Sequence, residues 1–426
     1  MELKDKVKKL FTTGFFHIFG SSVLNKIIVF FSNIIVVRII SKVDFGIYTY
    51  ALNIVSFVLI FTGLGMVTGT FQLCSEFTND EEKLNRIYQY GSSVGIKFNI
   101  LLSFVIVCIA MFFDFPIKGQ SEMLLLMCLN PIFLIAFEFQ QIYLRAKLKN
   151  QEFSYGTTIN TLAVTIGSIV GALLLNTSGL VIGRYVAYVV TIIAMFAVFK
   201  APFHFRKVNI EPELKNSLYK ISVVSMANNG ISELLYLLDI FILGLVVADE
   251  SMIASYKVAT VIPSACIFIP MAIVTYIYPF FASHKNDYDW TIKNYKKLVK
   301  FLGLGNMAIS AFLIIFAELI IKIVYGEQYL DATLCFRILS LNYFFSGTFR
   351  IISGNLLVTQ RKLTFNLIVN VVSGIVNVIG NLILIPALYS TGAALTTLLV
   401  VLVSSIMSTT YYVYIIKKGK NVEKPL

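Results

Sequence analysis

The sequence predicts an all-α integral membrane protein of about twelve transmembrane helices, built as two parallel six-helix lobes around a central cavity. Three observations carry that prediction. Of 426 residues, 57% are hydrophobic and 14% charged, at a mean hydropathy of +0.81, against roughly 25% charged residues in a soluble domain. Most of the chain falls into apolar runs of the ~20 residues that a helix needs to cross a hydrocarbon core of ~30 Å. The most polar linker, KAPFHFRKVNIEPELKN at 200–216, lies near the middle with six runs on either side.

The runs lie at about 12–37, 47–75, 89–113, 122–144, 154–175, 179–199, 218–247, 252–282, 298–322, 332–357, 363–385 and 391–416. Strict apolar/polar alternation is absent and many runs exceed strand length, so the spans are helices and not barrel strands. Basic Met1–Lys9 followed by an apolar run resembles a secretory signal, but the run is too long and lacks a small-residue cleavage site, so it is read as the first span. The organisation expected is a lobe over 1–199, a linker over 200–216, a second lobe over 217–416 and a tail over 417–426. An even number of spans per lobe makes both enter the membrane in the same direction, as parallel repeats do.

Lys and Arg give the orientation. With the N-terminus cytoplasmic, clusters such as Lys4–Lys9, Arg145–Lys149, Arg206–Lys207, Lys293–Lys300 and Lys417–Lys424 fall on the cytoplasmic side, whereas the opposite side holds Arg38, Lys42, Lys118 and Lys322. Both termini are therefore expected in the cytoplasm. The net charge of +12 and pI near 9.3 have this topological cause, and no nucleic-acid partner is inferred. Cys74, Cys108, Cys128, Cys266 and Cys335 show no CxxC spacing, and His17, His204 and His284 are isolated. No metal site, disulfide framework or catalytic nucleophile is predicted. Trp290 reads as an interface anchor.

Weak internal similarity supports a duplicated six-helix unit. Tyr48 and Ala51 match Tyr256 and Ala259 at an offset of 208, Asn160 matches Asn370 at 210, and Gly179 matches Gly392 at 213. Polar stripes then mark faces that avoid lipid. Ser225, Asn229, Ser232, Tyr236 and Asp239 form one face of the seventh span with Glu233 beside it, and Asn366, Asn370, Ser373, Asn377 and Asn381 form one face of the eleventh. Both are read as cavity lining. In the first span Ser22, Lys26 and Asn33 share a side with Asn25 adjacent, and Asn25 corresponds to Glu233 at the repeat offset. The fifth-span stripe of Ser154, Thr158, Thr161, Thr165 and Ser168 is read as helix packing, as are Gly91xxxGly95, Gly167xxxGly171 and Gly179xxxGly183.

Six cations lie inside the spans: Lys26, Lys97, Arg184, Lys257, Arg337 and Arg350. A mid-membrane charge costs roughly 2.5–3.5 kcal/mol on insertion scales, so it avoids lipid. Arg184, Lys257 and Arg337 lie about one turn inside the outer ends, where snorkelling is the alternative to lining a cavity. Lys26 and Arg350 are deeper, with Lys97 intermediate. The intramembrane carboxylates, Glu138, Glu233, Asp239 and Glu318, are fewer. An ion-pair network is the plain reading; the cationic excess suits an anionic ligand such as a phosphate or diphosphate headgroup.

Several segments resemble the polysaccharide-exporter and O-antigen flippase family. RIISKVDFGIYTYALNIV (38–55) is similar to its Arg, then Leu-Gly-Pro-x-x-Phe-Gly-x-Tyr signature, VYGEQYLDATLCFRILS (324–340) to its Phe-Gly-x-x-Tyr-x-x-Ala segment, and NVIGNLILIPALYSTGAALTTLL (377–399) to its Asn-x-x-Leu-Ile-Pro-x-x-G-x-x-G-Ala-Ala-x-x-Thr ending. Together with LDIFILGLVV and ASYKVA (238–259) they run in the family's order; ISKVDFG lacks the usual Gly-Pro and a glycine before STGAA is missing.

The resemblance implies a multidrug-exporter-like fold of the MOP superfamily in the bacterial inner (plasma) membrane. It implies a flippase, not an enzyme, moving a polyprenyl-diphosphate-linked oligosaccharide of O-antigen, capsule or a related glycan to the outer leaflet, with membrane lipids and other glycan assembly proteins as partners. Lipid II flippases of that superfamily usually carry two more C-terminal helices, so twelve spans favour the O-antigen or capsule branch. The expected mechanism docks the diphosphate among Lys26, Arg350 and Lys97 and seats the glycan against Asn25, Asn229, Asn370 and Asn377. Alternating access then releases it past Arg184, Lys257 and Arg337. No cofactor is expected, and GxxxxGK[ST] is absent; Glu233 and Asp239 are candidates for proton or sodium coupling, or for structural pairing with a cation, and the membrane potential is a further source of drive. The rival readings are an ion-coupled multidrug antiporter of the same fold and a membrane glycan polymerase or ligase.

Overall fold

The computed structural model describes residues 15–202 and 208–422; Lys4–Lys9, Arg206, Lys207 and Lys424, used above for orientation, lie outside them, as does the isolated His204. Among the described residues the regular structure is entirely helical. The helices are α1 (Phe15–Ile39), α2 (Lys42–Leu59), α3 (Met66–Glu76), α4 (Glu81–Phe112), α5 (Gln120–Met127), α6 (Asn130–Ala146), α7 (Asn150–Phe199) and α8 (Pro212–Val246). They continue with α9 (Glu250–Cys266), α10 (Phe268–Ser283), α11 (Tyr288–Ile315), α12 (Ala317–Val324), α13 (Thr333–Phe345), α14 (Ile351–Thr359) and α15 (Leu363–Val422). Eight stretches of the described residues are long and apolar enough to cross a membrane. Two of these, 150–199 and 363–419, each contain a pair of predicted spans.

Those two are hairpins, and their turns are alike. α7 breaks at Asn176 (φ 52°, ψ −135°) and α15 at Tyr389 (φ 53°, ψ −132°), positions 213 apart. In the first hairpin the backbones touch: a Cβ on Gly167 would run into the Gly183 carbonyl, and one on Gly171 into the Gly179 carbonyl. The glycines read as packing residues therefore pack against each other within one hairpin, where only the absence of a side chain permits that approach. In the second hairpin Gly380 and Gly392 occupy the equivalent places, against Thr396 and Leu384.

Helix starts follow ordinary capping chemistry. Asp80, Asp249 and Asp287 accept from the N–H three residues on, and Ser41 does the same for Asp44 while its hydroxyl donates to the Asp44 carboxylate. Between α2 and α3 the chain turns through Gly63 and Gly65, at φ 54° and 73°. Buried Asn99 clasps this turn: its Oδ1 accepts from Gly63 N–H (2.6 Å), while its Nδ2 donates to Thr62 Oγ1 (3.0 Å) and to the Pro131 carbonyl (2.7 Å). A broken helix inside a membrane leaves backbone groups to satisfy, and one amide meets both needs here.

The chain forms two compact units, Met1–Leu234 and Leu235–Leu426, the division falling inside α8. The first is centred on Met66, Leu73, Tyr88, Ile96, Ile135, Phe139 and Leu218. The second includes a core of Val274, Tyr295, Leu302, Ile352, Leu356 and Tyr412. Large apolar side chains also cover the outside, among them Phe112 (83% exposed), Leu174 (75%) and Ile315 (70%), as lipid-facing helices require. Trp290 stacks on His284 (centroids 4.2 Å apart) and meets Phe281 edge-on.

Candidate functional site

Each unit holds a polar cavity. The one in the second unit, about 230 Å³, lies among α8, α9, α13, α15 and the π-helical turn Ser346–Arg350. Its centre is Asp239, 6% exposed and surrounded by neutral donors. Oδ1 accepts from Asn377 Nδ2 (2.9 Å) and Asn381 Nδ2 (2.8 Å), and Oδ2 from Tyr256 Oη (2.9 Å) and Thr397 Oγ1 (2.5 Å). Helical periodicity builds this cage: Asn377 and Asn381 stand one turn apart on α15, and Thr397 returns from the other arm of the same hairpin. A carboxylate held by four hydrogen bonds has its charge spread over neutral partners. No cation takes part in those bonds, so the ion-pairing alternative for Asp239 does not hold among the described residues.

Lys257 and Arg350 line the same cavity with Asn342, Ser346 and Asn377. Both are half-buried, and neither makes an ion pair among the described residues. Lys257, expected on an outer exit path, thus stands in one cavity with Arg350. The π turn brings Ser346 and Arg350 to the lining, and Asn306 on α11 braces it, accepting from Tyr343 Oη (2.7 Å) and donating to Thr348 Oγ1 (3.2 Å). A π turn adds a residue to one helical turn and re-aims the side chains beyond it, a device frequent at functional sites. Asn342 Oδ1 is buried there without a hydrogen-bond partner.

The cavity of the first unit, about 270 Å³, lies among α1, α2 and the two arms of α7. It is lined by Ser32 and Asn33, by Asn160, Thr161, Thr165 and Ser168, and by Tyr48 and Arg184. This corrects the packing reading of the fifth-span stripe: three of its five members face a cavity. Arg184 Nη1 donates to Tyr48 Oη (2.6 Å).

The other predicted positions stand apart from both cavities. Lys26 on α1, Lys97 on α4, and Asn229 and Glu233 on the first part of α8 are exposed on the first unit. Arg337 is exposed on α13 and donates to the Ile314 carbonyl (3.3 Å). Asn25 is buried with an unpartnered Oδ1, and Asn370 is half-buried on α15. The predicted seventh-span face is divided: Tyr236 and Asp239 line a cavity, whereas Asn229 does not; the side chain of Ser232 lies outside the described residues. Sequence reasoning does not single out Thr397, Tyr343 or Asn306. It marks Tyr256 as a repeat match and not as a ligand of Asp239; the pairing with Tyr48 is the available signal.

Membrane-length apolar helices, charges within them and a polar cavity in each unit define a multi-pass membrane protein. Solved structures share this fold. An inward-facing multidrug resistance MATE family transporter of the MOP superfamily is similar at a TM-score of 0.76 and 12% identity, over 94% of this chain and 96% of that one. Lipid II flippase MurJ in an inward closed conformation gives 0.70 and 15%, over 94% and 87%. A MOP superfamily transporter from Pyrococcus furiosus, whose binding pocket is described as of reverse polarity, gives 0.53 and 12%, over 96% and 94%. The curated proteins contain no match. Residues 35–334 match the family model described as polysaccharide biosynthesis protein, and the chain belongs to that family.

Proposed function

We propose that this chain is a flippase that carries a polyprenyl-diphosphate-linked oligosaccharide, an O-antigen, capsule or related repeat unit, from the cytoplasmic to the outer leaflet of a bacterial inner membrane. One observation supports it above the others. In the second-unit cavity the carboxylate is fully occupied by neutral donors, which leaves Lys257 and Arg350 to an anion. A diphosphate is matched by one planar fork and one point charge, whereas a cationic drug would meet two like charges.

The family and the flippase among the structural relatives favour a lipid-linked glycan as cargo. On this reading the headgroup docks at Lys257 and Arg350, the prenyl tail stays in lipid, and rocking of the lobes exposes the glycan outward. Lys26 and Lys97 are proposed to draw the headgroup in from a cytoplasmic side that holds both termini. Asp239 is the proposed coupling residue, because an arriving proton or sodium ion would displace the donors Tyr256, Thr397, Asn377 and Asn381 from its carboxylate and so remodel the cavity lining.

Depletion in the native host, with surface polysaccharide and the sidedness of lipid-linked oligosaccharide measured together, tests the reading. Loss of surface glycan with intermediates held on the cytoplasmic leaflet is expected. Lys257→Gln and Arg350→Gln at normal protein levels should each lower export by roughly tenfold or more, the scale of one charge-assisted hydrogen bond. Intact glycan with new sensitivity to cationic drugs would point to an antiporter instead.

A further inference from the structure

The first-unit cavity has a ligand chemistry of its own. Arg184 is the one charged side chain among the residues that line it, and it makes no ion pair among the described residues. One end of its guanidinium is fixed by Tyr48 at 2.6 Å and the Tyr188 hydroxyl stands beside it, while its Nε–H is buried without a hydrogen-bond partner. Because Tyr48 Oη accepts from Arg184, its own proton is left to donate. Across the cavity, Asn160 Oδ1 is likewise buried and unpartnered. Around these stand Ser32, Thr165 and Ser168, all neutral hydroxyls.

A guanidinium withdrawn from water without a counter-charge is costly, and so is an unfilled amide oxygen. A ligand that satisfies both must bring an anion for the fork and a hydroxyl for the amide. The single positive charge matches a monoanion better than a doubly charged phosphate monoester. The planar fork matches a carboxylate, and the remaining lining of hydroxyl and amide groups suits a polyhydroxylated ring. The two cavities therefore differ in chemistry, with two cations lining one and a single fork among neutral groups in the other.

Resting on the flippase reading, we propose that the first-unit cavity binds an acidic sugar of the translocated glycan, a hexuronate-type residue, with Arg184 holding its carboxylate and Asn160, Thr165 and Ser168 meeting its ring hydroxyls. The glycans carried are then those whose repeat contains a carboxylate.

Titration of the purified full-length protein with D-glucuronate, with its neutral amide D-glucuronamide, and with chloride tests this. Glucuronate should bind about tenfold or more tighter than the amide, and Arg184→Gln should abolish that preference. Asn160→Ala keeps the cation, so it should weaken both sugars by a similar factor and leave the preference in place, which keeps the test decisive should the arginine variant fail to fold. A glucuronate-terminated oligosaccharide should bind more tightly than free glucuronate. Equal affinity for acid and amide, no binding of glucuronate at its solubility limit, or displacement by chloride at equal affinity overturns the proposal, the last by making this an inorganic anion site. An oligosaccharide that binds no better than the free acid overturns the assignment to the glycan. None of these outcomes alters the leaflet-sidedness result. Loss of uronate selectivity with intermediates still trapped inside would mean a flippase of neutral glycans.

Discussion

The same tyrosine serves opposite charges in the two halves. Tyr48 and Tyr256 are 208 positions apart, and each turns its hydroxyl into the cavity of its own unit. Tyr48 accepts from the Arg184 guanidinium, whereas Tyr256 donates to the Asp239 carboxylate. The position 213 after Arg184 is Thr397, another donor to Asp239. The two units share hairpins with like turns at Asn176 and Tyr389, while a few side chains make one cavity cationic and give the other a caged carboxylate beside two cations. Scaffold is held by small residues and backbone geometry; the chemistry of each cavity differs by a few side chains at matching places.

The largest expected effect comes from removing the carboxylate. Asp239→Leu leaves its four donors without their acceptor, but they do not suffer equally. Thr397 Oγ1 also donates to the Ala393 carbonyl (3.1 Å), and Asn381 Nδ2 to Asn377 Oδ1 (3.2 Å). Tyr256 Oη can turn to Thr397 Oγ1 (3.3 Å), whereas Asn377 Nδ2 is left buried without an acceptor at about 1–3 kcal/mol, so a loss of that size in thermal unfolding is expected, together with loss of export. Asp239→Asn keeps an oxygen acceptor and should cost less in stability while altering the ion or pH dependence of transport. An asparagine variant with unchanged dependence would end the coupling role.

A smaller effect separates the two clasps. Asn99 and Asn306 stand 207 apart, and each braces a local break in its half. Asn99→Leu strands the backbone N–H of Gly63, which cannot rotate away, at about 1–3 kcal/mol, while the Pro131 carbonyl keeps the bond of its own helix. Asn306→Leu takes an acceptor from the Tyr343 hydroxyl and a donor from the Thr348 hydroxyl, both of which can rotate to other partners, and should cost about half as much in melting. Its larger consequence is expected in export, because the π turn presents Arg350. Equal melting losses, or normal export by the Asn306 variant, would show that the two asparagines are not used differently.

Much of this is legible in the sequence, for reasons that differ from residue to residue. Span positions come from apolar length, and the glycines of the first hairpin from their spacing of four. Asn377 and Asp239 declare themselves because repeated amides and a lone carboxylate are expensive in a membrane. The sequence does not show which charges share a cavity. Lys257 and Arg350 are 93 positions apart, and their meeting depends on a π turn that no periodicity of 3.6 anticipates. Lys26 lies deep in its span, yet depth along a span says nothing about the direction a side chain takes around it. The fifth-span stripe reads as packing because threonines at helical spacing serve packing and lining alike; Arg184, on the neighbouring arm of the hairpin, makes the difference.

The smallest effects test the tyrosines themselves. Tyr256→Phe removes one of two donors from Asp239 Oδ2, and Thr397 stays on that oxygen, so the lower end of the about 1.5–3 kcal/mol of a hydrogen bond to a charged group is expected. Tyr48→Phe takes the acceptor from a guanidinium whose Nε–H is already unpartnered. Asp239 keeps three donors whereas the guanidinium loses the bond that fixes it, so the upper end of that range is expected here and this variant should melt lower than Tyr256→Phe. A saturating carboxylate ligand should narrow the gap by giving Arg184 another acceptor, with no such effect on Tyr256→Phe. The reverse order of stabilities, or a carboxylate that rescues both alike, would mean that the two hydroxyls face the same electrostatic demand, and the opposition between the halves would then reduce to geometry.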